Sequence, residues 1–458
     1  MVVEALTRDT MPSGEGDLSI EGHGIEPIPA SARYGSVWRL FTVWFTPNLV
    51  PAAFALGIIV AGLRLGFIPG LLAVLVGNVI GSAVVAVLGT MGPKLGLGQI
   101  PISRLAFGKS IVVPGIINWL STIAWDAINA FFGAYAIQVI TNNAVPFWLG
   151  LVAVIACQAG LSVVGYEAIH TFEKYAAIGL AILFAIVTVA LLPKADFGST
   201  GSGGTFGLWV LGTTIVGSFN LGWALYASDY SRYLPASTPS LKVALYAFAG
   251  IAISAIWIEI LGLAVIGATD ASLPSPVHQI NALLGGGIVG GIAMVAIFFG
   301  TVAVNAMNDY SGSLSLLAAG IKVWRPVSAL IVGVVSFIAT LWLYQANFNN
   351  TFENYLLLIT YWIGPWSAII LVDWQIRKHS ASGADHVSNF SLLPSGRNAL
   401  IALIVGFVVS IPFMDATLFQ GFIANNLSGA DIAYVVGFIV AGIVYWALER
   451  TSPSSVPA

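Results

Sequence analysis

The stretch FTPNLVPAAFALG, residues 45–57, interrupts a long apolar segment with two prolines. Pro47 and Pro51 have no backbone N–H to donate, so a regular helix cannot continue through them. Irregular backbone is tolerated within a bilayer only where it is buried in protein or lines an aqueous cavity. The stretch therefore predicts a broken membrane helix inside a larger helical bundle.

The composition is that of a membrane protein. Hydrophobic residues make up 58% of the 458 residues and charged residues 8%, and the mean hydropathy is +0.91. Soluble proteins average about 45–50% apolar and about 25% charged residues. The apolar runs lack the alternation of a β-barrel and reach the roughly 20 residues that a transmembrane helix needs. We predict an all-α polytopic protein whose twelve transmembrane helices lie near residues 39–61, 66–92, 111–140, 145–166, 174–193, 205–228, 241–268, 286–319, 324–344, 352–376, 396–415 and 429–449.

A second interruption falls in the predicted sixth helix. In GTTIVGSFNLGWALYASD, residues 212–229, Gly217 and Gly222 flank a short polar and aromatic segment. Transporters use such broken helices to bind ions and substrates near the middle of the membrane. The first and sixth helices would cross in opposite directions, as in inverted five-helix repeats, although proline and glycine are also common in ordinary membrane helices. We place the predicted break around Phe219.

The predicted third helix carries a tryptophan and polar side chains on one face. Ser121, Trp125 and Asn129 fall within about 80° of one another at 100° per residue, and Asp126 falls beside that face. Trp125 with Asn129 one turn on is a candidate binding pair; the alternative is simple packing. A buried carboxylate is costly enough to be a functional candidate, so Asp126 is either a proton carrier or a structural hydrogen-bond acceptor.

The predicted eighth helix contains GTVAVNAMNDYSGS, residues 300–313. Thr301, Asn305 and Asn308 form a narrow polar stripe along it, and Asp309 falls to the side. Such a stripe can hold helices together through interhelical hydrogen bonds. It can also face a cavity, where an amide offers both a donor and an acceptor to the edge of a heterocycle. We favour a binding role for Asn308, with Asn305 as a second candidate.

Two other charged residues are singled out by their positions. Glu259, deep in the predicted seventh helix, is either a coupling residue or a hydrogen-bonded structural carboxylate. Arg104, in the predicted inner loop SRLAFGKS, is expected to face water or lipid headgroups.

Signatures of soluble enzymes are missing from the chain: it has no HExxH, no GxSxG, no CxxC pair and no dinucleotide fingerprint. We expect no catalytic residue, no bound metal and no organic cofactor. The net charge of −3 gives no reason to expect a nucleic-acid partner. The alternatives from a different class are a channel, which favours rings of like residues in an oligomer, and a membrane-embedded enzyme.

Together these segments resemble the nucleobase:cation symporter-1 family, and within it the purine–cytosine permease branch. The resemblance spans roughly residues 24–380 and implies a leucine-transporter-like fold of two inverted five-helix repeats (helices 1–5 and 6–10) plus two extra helices. It also implies cation-coupled import of a nucleobase by alternating access. The matching segments are GIEPIPASAR, WFTPNLVPAAFALG, GPKLGLGQIPISRLAFG, LGWALYASDYSRYLP and NAMNDYSGSLSL.

The resemblance also implies roles for individual residues. Aromatic side chains of the third and sixth helices would sandwich a planar ring, and amides of the third and eighth would bind its edge. Stacking gains apolar burial from any flat ring, whereas specificity rests on the in-plane donors and acceptors. The predicted substrate-binding residues are Trp125, Asn129, Phe219, Ser218, Asn308, Asn305 and Asn48, with Trp223 as the rival of Phe219.

The coupling ion is predicted from a missing feature. Sodium-coupled relatives carry two neighbouring hydroxyl residues where this chain has Val302 and Ala303. A sodium site would then depend on first-helix carbonyls with Thr301 or Asn305. We therefore favour H⁺ over Na⁺, with Asp126 as the proton carrier. Cytosine or a purine is the favoured substrate; allantoin, hydantoin, uracil or a vitamin is the alternative.

The basic residues predict the orientation, because cytoplasmic loops retain lysine and arginine. Of the 17 basic residues, only Arg64 and Lys194 would lie outside if the N-terminus is inside. We predict an inner or plasma membrane protein, surrounded by lipid, with both termini in the cytoplasm. The predicted segments are a disordered tail (1–36), a first repeat (37–193), a flexible outer loop (194–204), a second repeat (205–380), two additional helices (396–449) and a tail (450–458).

Overall fold

The structure, a computed structural model, describes residues 25–164, 166–270, 272–323, 325–377 and 387–456. We number its long helices by membrane span. They are α1a (Val37–Phe45), α1b (Pro51–Gly62), α2 (Phe67–Gly89), α3 (Val112–Ile140), α4 (Phe147–Val164), α5 (Tyr166–Leu191), α6 (Phe206–Leu221), α7 (Ser240–Ala264), α8 (Gly287–Ala318), α9 (Arg325–Gln345), α10 (Phe348–Arg377), α11 (Arg397–Ser410) and α12 (Ala433–Thr451). Between them lie the helices Met91–Leu95, Gln99–Phe107, Pro276–Leu283 and Phe422–Asn426, and a hairpin of β1 (Asp415–Ala416) with β2 (Phe419–Gln420).

Every predicted span corresponds to one of these helices. Within the described residues, eight helices are long and apolar enough to cross a membrane, nine if the bent first pair counts as one span, and three shorter apolar helices complete the set. The prediction of a twelve-helix membrane protein is confirmed. The ends were less accurate: α5 begins at Tyr166, eight residues before the predicted start, because hydropathy marks where a helix is apolar and not where it begins.

The first span is broken where the prolines predict. α1a gives way to a 3-10 turn over Thr46–Asn48, and α1b starts at Pro51. The two halves are bent by 61°. The Asn48 side-chain amide donates to the Trp44 carbonyl oxygen at 2.9 Å, so a side chain satisfies a carbonyl in the last turn of α1a.

The sixth span is broken later than predicted. α6 stays helical through Gly217 and Phe219, and the chain tightens into 3-10 helix only over Gly222–Tyr226. The placement of the break around Phe219 was therefore wrong. Gly217 serves packing instead, since a Cβ at this position would lie 3.3 Å from the Gly77 carbonyl oxygen of α2.

α1b and α7 pack with their backbones in close contact. A Cβ on Gly262 would lie 1.9 Å from the Phe54 carbonyl oxygen, and one on Gly57 would lie 2.0 Å from the Glu259 carbonyl oxygen. Small residues permit this approach, which is a common way for membrane helices to associate. The contact holds α1b, the second half of the broken span, against α7.

We expect Gly262→Ala to destabilise the fold, because the added methyl group overlaps backbone atoms that cannot rotate away. Overpacking of this kind costs about 1–3 kcal/mol. The thermal unfolding midpoint of purified protein in detergent should fall. Gly62→Ala is the matched control, since no heavy atom lies within 4 Å of its added Cβ. Equal midpoints for the two variants would contradict the packing argument.

Arg104 is buried, contrary to the prediction that it faces water or headgroups. Its guanidinium donates to the carbonyl oxygens of Leu317 at 2.9 Å, Ala318 at 2.8 Å and Val387 at 2.6 Å. The last carbonyls of a helix lack helical donors and form the negative end of its dipole. Arg104 therefore caps the C-terminal end of α8.

Candidate functional site

A small cavity lies where α3, α8 and the irregular parts of the first and sixth spans meet. Its volume is about 10 Å³, room for about one water molecule. Four of the predicted substrate-binding residues contribute to its wall. The lining consists of Pro47, Val50, Trp125, Asn129, Phe219, Gly222, Trp223, Tyr226, Val304 and Asn308.

The aromatic side chains of the cavity meet edge to face. The ring centroids of Trp125 and Phe219 are 5.7 Å apart with an angle of 78° between the planes. Trp125 packs in the same way on Tyr355, at 5.2 Å and 84°. Such pairs are favourable contacts between aromatic rings. The parallel sandwich predicted for Trp125 and Phe219 would require these two rings to separate.

Trp223 also lines the cavity and lies inside the irregular segment of the sixth span. Its indole N–H donates to Asn48 Oδ1 at 3.0 Å, and its ring packs edge to face on Trp44. Phe219 was preferred because the break was placed around it. The break begins at Gly222, so closeness to the break now favours Trp223. Phe219 and Trp223 are both candidates for stacking.

Two amides reach the cavity in different ways. The side chain of Asn129 makes no hydrogen bond within the described residues and is 4% exposed, so its donor and acceptor remain available to a ligand. Asn308 is held on both sides: its Nδ2 donates to Asp126 Oδ1 at 3.1 Å, and its Oδ1 accepts from the Tyr226 hydroxyl at 3.4 Å. Asn308 is therefore oriented before any ligand binds.

The rest of the polar stripe on α8 packs against neighbouring helices. A Cβ on Gly133 would lie 3.0 Å from the Thr301 methyl group, so Thr301 lies against α3. The amide of Asn305 donates to the Asp126 carbonyl oxygen at 3.1 Å and to Gln158 Oε1 at 2.6 Å. Neither residue lines the cavity. In the structure Thr301 and Asn305 contact neighbouring helices, which was the alternative interpretation of the polar stripe.

Ser218 and Asn48 also lie outside the cavity wall. The Ser218 hydroxyl donates to the Thr214 carbonyl oxygen at 2.7 Å, because α6 is still regular there. Asn48 donates to Ser254 Oγ at 3.2 Å and accepts from Trp223. The structure thus places Asn48 behind the site, where it fixes the Trp223 ring.

Asp126 lies directly behind Asn308 and is fully buried. The carboxyl group of Asp309 lies beside the Asp126 carboxyl group. Two carboxylates this close repel strongly if both are ionised, so such pairs hold a proton between them. Helical wheels treat each helix alone, and for that reason they placed Asp309 to the side and did not pair it with Asp126.

Tyr226 is a lining residue that the sequence analysis did not select. It stands one helical turn after Trp223 in the segment LGWALYASDYSRYLP, and that spacing was the available signal. Its hydroxyl reaches Asn308 from the side opposite Asp126. The site therefore contains a phenol in addition to the predicted indole and amides.

The sequence matches a family model over the elements that form the site. The family is described as "Permease for cytosine/purines, uracil, thiamine, allantoin", and the match covers residues 27–437. The chain belongs to this family. The resemblance to nucleobase:cation symporters is thereby confirmed, and the protein is a membrane permease and not an enzyme.

Individual relatives align with the permease over most of their length. The purine-cytosine permease fcyB of Emericella nidulans is 29% identical over 455 residues, covering 94% of this chain and 89% of its own. A putative purine-cytosine permease of Bacillus subtilis, YxlA, is 27% identical over 446 residues, covering 94% and 96%.

A solved structure establishes the fold class. Mhp1, a nucleobase-cation-symport-1 family transporter in a closed conformation with bromovinylhydantoin bound, superposes with a TM-score of 0.75 at 16% identity, covering 93% of this chain and 95% of its own. Its inward facing conformation gives 0.72. The leucine-transporter-like fold predicted from the resemblance is confirmed.

Proposed function

We propose that the permease imports a nucleobase, cytosine or a purine, together with a proton, by alternating access. The observation that carries this proposal is the cavity wall itself. Aromatic rings from α3 and the sixth span and amides from α3 and α8 converge at the broken first and sixth spans. Membership of the cytosine and purine permease family supports the substrate class.

The wall suits a flat polar heterocycle. Trp125 with Phe219 or Trp223 offers apolar faces to stack on, and stacking accepts any planar ring. Asn129 offers an unused donor and acceptor to the ring edge, and Asn308 is held in one orientation. Selection among rings would then depend on these two amides, because an unmatched buried polar group costs about 1–3 kcal/mol.

Proton coupling is supported by the surroundings of Asp126. Its carboxyl group contacts Asn308, which lines the cavity, and Asp309, with which it can share a proton. A sodium site would use oxygens such as Asn305 Oδ1, which has no hydrogen-bond partner within the described residues, so Na⁺ stays the alternative that the uptake experiment tests. We therefore assign proton transfer to Asp126, one side chain away from the substrate.

The orientation proposed for the permease has both termini in the cytoplasm of a cell membrane. The distribution of basic residues supports it, since Arg64 and Lys194 would be the two outer ones. Substrate would enter from the outside between α3, α8 and the broken spans, and leave inward after closure.

Uptake of a radiolabelled panel tests the substrate and the ion together. Cells that lack their own permeases would receive cytosine, adenine, hypoxanthine, uracil or allantoin, with and without sodium and a proton uncoupler. We expect saturable uptake of cytosine or a purine that the uncoupler abolishes and sodium removal leaves unchanged. No saturable uptake of any heterocycle would refute the transport proposal. Uptake that needs sodium and survives the uncoupler would refute proton coupling, and uptake of allantoin or uracil alone would move the substrate to the alternative class.

A further inference from the structure

A second buried polar cluster lies away from the cavity, between α2, α6 and α7. Glu259 of α7 is fully buried, and its Oε2 accepts from Asn78 Nδ2 at 2.6 Å. Asn78 Oδ1 in turn accepts from Asn220 Nδ2 at 2.6 Å, and Asn220 also donates to Ser82 Oγ at 3.1 Å. We call these four residues the acid–amide cluster. It contains one ionisable group.

In the part of the chain that the structure describes, no positively charged side chain lies near Glu259. The helices α1b, α2 and α6 contain no ionisable residue at all. On α7 itself the others are Lys242 and Tyr246, at least about 20 Å away along the helix at 1.5 Å per residue. Arg39 of α1a lies at the same far end, where the neighbouring Trp38 ring packs on Tyr246. Within residues 175–191 of α5 the one ionisable side chain is that of Tyr175, which is exposed.

The hydrogen bonds of Glu259 are those of a neutral acid. Asn78 supplies one donor to Oε2, and Oε1 has no hydrogen-bond partner within the part of the chain that the structure describes. A buried carboxylate needs several donors or a cation to replace its hydration, whereas a neutral carboxylic acid tolerates one missing partner at much lower cost. In a membrane interior a charged side chain costs still more free energy, so the protonated, neutral form of Glu259 is favoured further.

We propose that Glu259 is a second proton-binding site of the permease, distinct from Asp126. In the conformation described here the proton sits on the Glu259 carboxyl group. When the acid–amide cluster opens to water, the O–H bond breaks, the proton passes to water and the carboxylate remains. Rebinding of a proton from water restores the neutral acid and allows the helices to close again.

The cluster is placed to respond to the cavity. Phe219 and Asn220 are neighbours on the last turn of α6: Phe219 lines the cavity, and Asn220 binds Asn78. A ring that enters between Trp125 and Phe219 must displace either the last turn of α6 or the part of α3 that carries Trp125. Displacement of the turn would pull Asn220 from Asn78 and loosen the hydrogen bond that Asn78 gives to Glu259.

Protonation of Glu259 is a property of the chain itself, and only its use in transport rests on the proposed function. Infrared spectroscopy of the purified full-length protein in lipid tests protonation directly, through the carbonyl stretch of a protonated carboxylic acid at neutral pH. We expect Glu259→Gln to lose part of this absorption, and Asp126→Asn to lose a different part. A spectrum of Glu259→Gln identical to that of the parent in this region would overturn the proposal.

Glu259→Gln keeps an oxygen for Asn78 and nearly the same volume, so it should fold. If it does not fold, Glu259→Asp provides the same test. This variant keeps a carboxyl group but places it in different surroundings, so the absorption should shift in frequency and not vanish. An unshifted band in Glu259→Asp would overturn the assignment as firmly as an unchanged spectrum of the glutamine variant.

The transport part is tested separately by substrate exchange across liposomes at a series of pH values. We expect exchange by the parent to depend on pH and exchange by Glu259→Gln to lose part of that dependence. A parental pH profile in Glu259→Gln would overturn the link to transport. If the parent exchanges no heterocycle, the proposed function fails, while the infrared result still decides the proton site.

Discussion

Replacement of Asn308 by alanine is expected to abolish saturable nucleobase uptake at ordinary substrate concentrations. Asn308 is the one cavity amide held from both sides, by Asp126 at 3.1 Å and by Tyr226 at 3.4 Å. Its loss removes the hydrogen bonds to the ring edge, each about 0.5–1.5 kcal/mol, and leaves buried partners unsatisfied at about 1–3 kcal/mol more. The apparent affinity should fall at least about tenfold, since 1.4 kcal/mol is a factor of ten.

The measurement is uptake as a function of substrate concentration, with the amount of permease in the membrane determined in parallel. Asn354→Ala is the matched control, because the Asn354 side chain contacts Asn350 and the turn of the β1–β2 hairpin, away from the cavity. It should behave as the parent. Trp125→Ala tests the stacking face independently. Parental affinity in both Asn308→Ala and Trp125→Ala would mean that these residues pack the core and do not bind substrate.

Asp126→Asn is expected to abolish accumulation of substrate against its gradient while leaving exchange intact. An asparagine keeps the oxygen that accepts from Asn308 Nδ2, so the cavity wall is preserved. It cannot gain or lose a proton, so only the Asp309 carboxyl group of the pair remains titratable. A single residue change thus separates binding from coupling.

Proteoliposomes with an imposed pH gradient provide the measurement. The parent should concentrate substrate inside, and Asp126→Asn should only equilibrate it, although counterflow persists. Thr301→Val is the control for the sodium alternative: it keeps the methyl group that packs on Gly133 and removes the hydroxyl. Accumulation should survive in Thr301→Val. Full accumulation by Asp126→Asn would exclude this carboxyl group as the carrier.

Sequence analysis identified the cavity residues Trp125, Asn129, Phe219 and Asn308 through a combination of helical periodicity and family motifs. It was less accurate where the role of a residue depended on which helix packs against it. Thr301 and Asn305 belong to the same stripe as Asn308, but they contact α3 and α4. A single helix shows which residues share a face, whereas only the packed bundle shows what that face contacts.

The sequence alone determined the membrane class, the twelve spans and the break at Pro47 and Pro51, because hydropathy and the missing proline N–H act locally. Tertiary structure decided where α6 ends, since Gly217 is used for close approach to α2. It also decided that Asp126 lies beside Asp309 and that Glu259 has no counter-charge among the described residues. These facts depend on contacts between helices far apart in the chain. Such contacts decide whether a buried carboxyl group keeps its proton, because a buried charge has lost its hydration.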